Sequence, residues 1–128
     1  RMVKKGCFVL LCLFSSILFL EKETENKKHF YNTFVVSSKF AVSHSIYIHE
    51  EEKNEAYFLS DDIKNNFKKA WSYLEQKNPL FLSVVLFDVA SDLPVDQKGQ
   101  GVEIAIQMKG IIQMYTFQTR YILKRRVL

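Results

Sequence analysis

Apolar and polar positions divide the chain into stretches of different period. Gly6–Leu20, GCFVLLCLFSSILFL, runs fifteen residues without a charge. As a helix it has no polar face and needs lipid or a deep core around it. Lys4 and Lys5 precede it, and the charged run EKETE at 21–25 follows. Beyond a polar stretch at 21–32, Phe34, Val36, Phe40, Val42, Ile46 and Ile48 take even positions against Ser37, Lys39, Ser43, Ser45 and His49 at odd ones. That alternation predicts one long or broken strand with a single buried face. An acidic turn at 50–55 and a short returning strand over Ala56–Leu59 come next.

At Ser60 the period becomes helical. Ser60 supplies an N-cap, and Asp61 and Asp62 place negative charge in the first turn. Ile63, Phe67, Ala70, Trp71 and Leu74 recur on one face, and Asn78-Pro79 ends the helix. Lys64, Lys68 and Lys69 share the outer face, with Lys77 in the last turn. Leu80–Ala90 is apolar at both parities, which predicts a central strand covered on both sides. Pro94, Gly99 and Gly101 mark 91–101 as a loop. Val102–Leu123 is too long for one strand, and Lys109-Gly110 offers a two-residue turn. That turn faces Met108 with Ile111, Ile104 with Tyr115 and Val102 with Phe117, giving one mostly apolar face.

The expected fold is therefore α+β: an N-terminal apolar transmembrane helix, then a small, mostly antiparallel sheet of about five strands with one amphipathic helix packed on it. The divisions are 1–20 for the anchor, 21–32 for a polar linker and 33–128 for the domain. The indole of Trp71 is expected to be buried against the sheet formed by Leu80–Ala90 and the last hairpin.

Fifteen helical residues rise about 22 Å, between the length of a signal-peptide core and that of a full span. No small-residue cleavage site follows, because Ile17-Leu18-Phe19-Leu20 runs straight into Glu21. An uncleaved signal-anchor is thus preferred over a retained signal peptide or a buried soluble element. Arg1 ahead of Met2 fits a tag remnant or a piece of a longer chain. Lysines before the segment and acids after it place the N-terminus in the cytoplasm, with the domain lumenal, periplasmic or extracellular.

Charge changes the picture once it is divided. The chain carries +4 overall, but residues 1–20 hold +3, residues 120–128 hold +4, and the body between is −3. A nucleic-acid binder carries its basic surplus on the folded body, so nucleic acid is not an expected partner. Both cysteines, Cys7 and Cys12, sit in the apolar segment, leaving the domain no disulfide. There is no N-x-S/T sequon to report sidedness.

Candidate chemistry is sparse. His44 and His49 fall on opposite faces of the expected strand and make a poor chelating pair. The acids Glu50–Glu52 beside His49 read as a solvated turn, and His44 as a satisfied core or edge histidine. Asp88, at the end of an apolar run, reads as a strand-end residue capping loop amides; a lone acid without a base or nucleophile makes no active site. Gly-rich phosphate loops, CxxC and HExxH are absent from the sequence. No cofactor and no enzymatic activity are expected. The candidate interaction residues are Lys124, Arg125 and Arg126, which could meet anionic headgroups or an acidic partner. The expected role is an accessory or interaction subunit of a membrane complex, with other membrane subunits and the bilayer as partners. The alternative is a secreted or periplasmic binding domain whose ligand sits between helix and sheet.

Overall fold

A computed structural model describes the backbone of residues 2–49, 55–96 and 98–123, and the side chains of 9–46, 56–96 and 98–123. Its first element, α1, is one helix from Met2 to Ser43. The expected linker at 21–32 is helical throughout, and so is most of the expected strand. The reason is a second period hidden in the same residues. Phe30, Phe34, Ser37, Ser38 and Ala41 fall at helical spacing, and all are buried. With the two serines counted among the core residues, a helical stripe explains the segment better than alternation does. Strand survives only as β1 (Ile46–His49), paired antiparallel with β2 (Glu55–Phe58).

The amphipathic helix forms as expected, as α2 (Ser60–Leu74), with Ile63, Phe67 and Trp71 buried. Its N-cap is Leu59 and no side chain caps it, so Ser60 is the first helical residue instead. Then come β3 (Phe81–Phe87), β4 (Pro94–Val95), β5 (Gly101–Lys109) and β6 (Met114–Ile122). They form one sheet in the order β4-β3-β5-β6, with every pairing antiparallel. The described residues thus hold six strands in two sheets, and two helices pack on the larger sheet.

Both helices lie on the same face of that sheet. Phe30 and Phe34 from α1, and Ile63, Phe67 and Trp71 from α2, meet Val102, Ile104, Ile106, Met108, Tyr115 and Phe117. This corrects the reading of β3 as covered on both sides. Leu82 and Val84 pack inward, whereas Phe81 and Val85 stay exposed on the outer face. At the far end of that outer face Phe87 is buried beneath Arg120, whose guanidinium lies 4.1 Å from the ring centroid. Asp92 and Glu103 hold the arginine in place.

The β5–β6 hairpin keeps the expected faces along its strands but not the expected register, and Ile111, expected on the apolar face, is exposed in the turn. Met108 pairs with Tyr115 and Ile106 with Phe117. The turn is wider, closed by the Gly110 N–H donating to the Gln113 carbonyl at 2.8 Å. A slip by an even number of positions leaves the same side chains facing the core.

Between α1 and α2, Glu75 accepts from the Thr33 hydroxyl at 2.8 Å and pairs with His29. Among the described residues no helix is long and apolar enough to cross a membrane. The described apolar run, Val9–Leu20, rises about 18 Å against the roughly 30 Å of a hydrocarbon layer. The expectation of a full single-pass span is not met by these residues.

Trp71 is 1% exposed, but α1 shares in covering it. Its indole stacks on Phe30 and Phe67 at 6.3 and 5.9 Å and donates to the Lys77 carbonyl at 2.8 Å. Trp71→Ala should cost about 3–5 kcal/mol, the range for a large aromatic removed from a core. Lys68→Ala, exposed on α2, should stay within about 0.5 kcal/mol of the parent. Urea unfolding of the full chain in detergent, followed by circular dichroism, checks both. Equal midpoints for the two variants would contradict the packing described.

Candidate functional site

Every side chain from Val9 to Glu21 is exposed, together with Lys22, so this part of α1 stands clear of the other described residues. The first buried side chain after it is an acid. Glu23 is 7% exposed, and its carboxylate faces the tip of the β5–β6 hairpin. There it accepts from the backbone N–H groups of Ile111 at 2.8 Å, Ile112 at 3.1 Å and, at the long limit, Gln113 at 3.5 Å. The Tyr115 hydroxyl donates to the Glu23 carbonyl at 3.2 Å, and the Asn26 amide donates to that hydroxyl at 3.4 Å. Successive amides converging on one anion form the concave cradle that turns offer to carboxylates and phosphates. Gly110 makes room for it. A Cβ there would stand 2.4 Å from the Gln113 carbonyl oxygen and 2.5 Å from Glu23 Oε1.

Burial alone raises the pKa of a carboxyl, but here the Tyr115 hydroxyl and the three loop amides outweigh it. They hold Glu23 below its ordinary value of 4.5. The Tyr115 hydroxyl is pushed up, first by burial and then by the neighbouring carboxylate. The same end of the sheet carries cations. Lys77 Nζ donates to the Lys109 carbonyl at 2.7 Å, and Lys22 precedes the clamp on α1. Ile111 and Ile112, whose amides the clamp holds, have side chains 50% and 61% exposed.

A second feature lies at the margin where α2 meets β3. A cleft of about 740 Å³ is lined by Lys64, Lys68, Phe67, Trp71, Leu80 and Phe81 among others, with no acid in its walls. Among the described residues β4 pairs with Leu86 and Phe87 alone, so β3 from Phe81 to Val85 has an open edge beside this cleft. Alternate N–H and C=O groups of such an edge are free to pair with another strand.

The sequence-level candidates do not converge on either feature. Lys124, Arg125 and Arg126 lie outside the described residues. The chain reaches them from the end of β6 where Ile122 pairs with Gly101, opposite the hairpin tip. His44 is exposed at the end of α1, stacked on Phe40 at 4.1 Å with Nδ1 2.9 Å from the Phe40 carbonyl, and is not a core histidine. The side chain of His49 and residues 50–54 are outside the described residues. Asp88 is exposed in the β3–β4 turn, where its carboxylate accepts from the Ser91 hydroxyl at 2.9 Å rather than from loop amides. Cys12 is a free, exposed thiol. No group of acids, histidines and cysteines among the described residues could hold a metal ion. Glu23 was not legible as a site residue, since it lies in a charged run that resembles a linker. No protein-family model, curated protein or solved structure matches the chain.

A lowered native pKa places the stabilisation by Glu23 above pH 4.5 and removes it as the pH falls through the native value. The amide NMR shifts of Ile111 and Ile112 should therefore titrate together, with a midpoint below 4.5. Glu23→Gln should abolish the step and move both resonances at neutral pH. Titration at or above the ordinary glutamate value would show that the clamp is not formed.

Proposed function

We propose that the chain is an interaction subunit of a membrane assembly, held at the bilayer by the apolar part of α1. The carrying observation is that every side chain of Val9–Leu20 is exposed, with nothing among the described residues packed over it. Water cannot solvate such a surface cheaply: at about 25 cal/mol per Å², its transfer into lipid or against other apolar helices is strongly favourable. The segment is short for a lone span. Snorkelling lysines, local thinning of the bilayer and the helices of neighbouring subunits accommodate that deficit. Lys4 and Lys5 before the segment favour a cytoplasmic N-terminus, with the folded part lumenal, periplasmic or extracellular.

The partner surface in this reading is the cleft between α2 and β3. An extended, acidic segment of another subunit suits it. Such a segment can add to the free edge of β3 while its carboxylates meet Lys64 and Lys68, neither of which has an acidic partner among the described residues. The alternative of a ligand enclosed between helix and sheet has less support, because Phe34, Phe67, Trp71, Ile104 and Ile106 fill that space.

Two measurements test the proposal. The full-length chain should stay with membranes through an alkaline carbonate wash, and in sealed vesicles with the cytoplasmic face outward the folded part should resist added protease. Release by carbonate would sink the anchor, and rapid digestion would invert the topology. In mild detergent the chain should migrate in native gels as part of a larger particle. Lys64→Glu combined with Lys68→Glu should return it to the size of the chain alone. An unchanged particle would remove the cleft from the assembly.

A further inference from the structure

The two isoleucines at the β5–β6 tip are exposed for a structural reason. Glu23 takes up their backbone amides, and this turns Ile111 and Ile112 away from the core. Met114, the first residue of β6, is also exposed, at 56%. Three apolar side chains thus stand together in solvent at the hairpin tip.

Its place on the molecule is fixed by the same bonds. Glu23 is three residues past Leu20, the last apolar residue of the protruding run, so the tip is tied to α1 about 4.5 Å along the helix axis from the end of that run. Lys77 and Lys109 stand at this end of the sheet, joined through the Lys109 carbonyl, and neither has an acidic partner among the described residues. On α1 itself Glu21 and Glu25 outnumber Lys22, and the Glu23 carboxylate is taken up by the turn amides, so the cations of this end are those on the hairpin side, Lys77 and Lys109.

We infer that the hairpin tip is a second membrane contact, with Ile111 and Ile112 at the headgroup–acyl boundary of the bilayer and Lys77 and Lys109 among the headgroup phosphates. This rests on the reading of α1 as a membrane anchor. An apolar pair flanked by cations suits that boundary, where side chains enter by several ångströms and the ammonium groups stay with phosphate. Anchor and tip then define two points of contact, so the sheet stands upright on the membrane with the free end of β6 pointing away.

The test uses the full chain with Cys7→Ser, Cys12→Ser and Ile112→Cys, labelled at position 112 with an environment-sensitive nitrobenzoxadiazole dye. It is reconstituted in vesicles of phosphatidylcholine and phosphatidylserine. A parallel protein carries the label at Ser91→Cys, in the exposed β3–β4 turn at the other end of the sheet. The label at 112 should be blue-shifted and quenched by lipids bearing a shallow nitroxide about threefold more than the label at 91. Ile111→Asp should bring that quenching down to the level at 91, while Trp71 emission stays unchanged and reports an intact fold. A red-shifted label at 112, open to iodide in a chain that resists carbonate, would overturn the tip contact and leave the anchor standing. A blue-shifted label that lipid nitroxides do not reach would mean that a protein surface covers the tip, and would also overturn it. Release of the chain by carbonate removes the anchor reading and the tip contact with it.

Discussion

The position of the sheet against α1 depends on one carboxylate. Glu23 reaches from the long helix to the β5–β6 turn and gathers its amide hydrogens, so a hairpin that could swing about its own strands is held at a fixed height. Aromatic packing continues the contact along the helix, from Tyr31 against Phe117 at 5.7 Å to Phe34 against Phe117 at 5.8 Å. Further packing follows with Val42, Tyr121 and Leu123 at the margin of the core. The polar clamp sets the register of helix against sheet, and the apolar stripe supplies most of the buried area. Removing the acid would leave turn amides without partners in a partly buried place, which costs more than the bonds contribute net.

The second helix is held by a complementary device. Glu75, just past the end of α2, is gripped by His29 and Thr33 one turn apart on α1, beside the Phe30–Trp71 stack. Ser37 and Ser38 then give α1 small side chains where it runs deepest. Their hydroxyls are buried without a hydrogen-bond partner among the described residues. That is a local cost, and close approach of the helix to its neighbours offsets it.

How much of this was legible in the sequence follows from what each residue had to declare. α2 announced itself, because Ile63, Phe67 and Trp71 are large, apolar and helically spaced between polar neighbours. The faces of the hairpin were legible for the same reason at period 2. Its register was not, since Lys109-Gly110 looks like a sufficient turn and the partner that widens it, Glu23, lies some ninety residues away. The second half of α1 misled because Phe34, Val36, Phe40 and Val42 alternate as a strand would, whereas in the helix Phe34 is buried and Val36 stands exposed on another face. Burial of Ser37 and Ser38, polar by type, decides between strand and helix, and that is a tertiary fact. The clamp itself carried no local signature: a glutamate in a charged run becomes a site only when a distant turn presents its amides.

The continuity of α1 has a mechanical consequence. Between Cys7 and Ser43 it contains neither glycine nor proline, and Phe30, Phe34 and Ala41 embed its second half in the core. Helix and sheet therefore move as one lever, with no joint between the exposed apolar arm and the folded body. A tilt imposed on the arm by whatever surrounds it is handed on undiminished to the sheet. Inserting a single residue ahead of Glu23 would turn the whole body by about 100° and raise it by about 1.5 Å. The cleft beside β3 would then point in a different direction about the arm while every contact in the core stayed the same. The length of the arm, counted in residues, sets the compass bearing of the surface it carries.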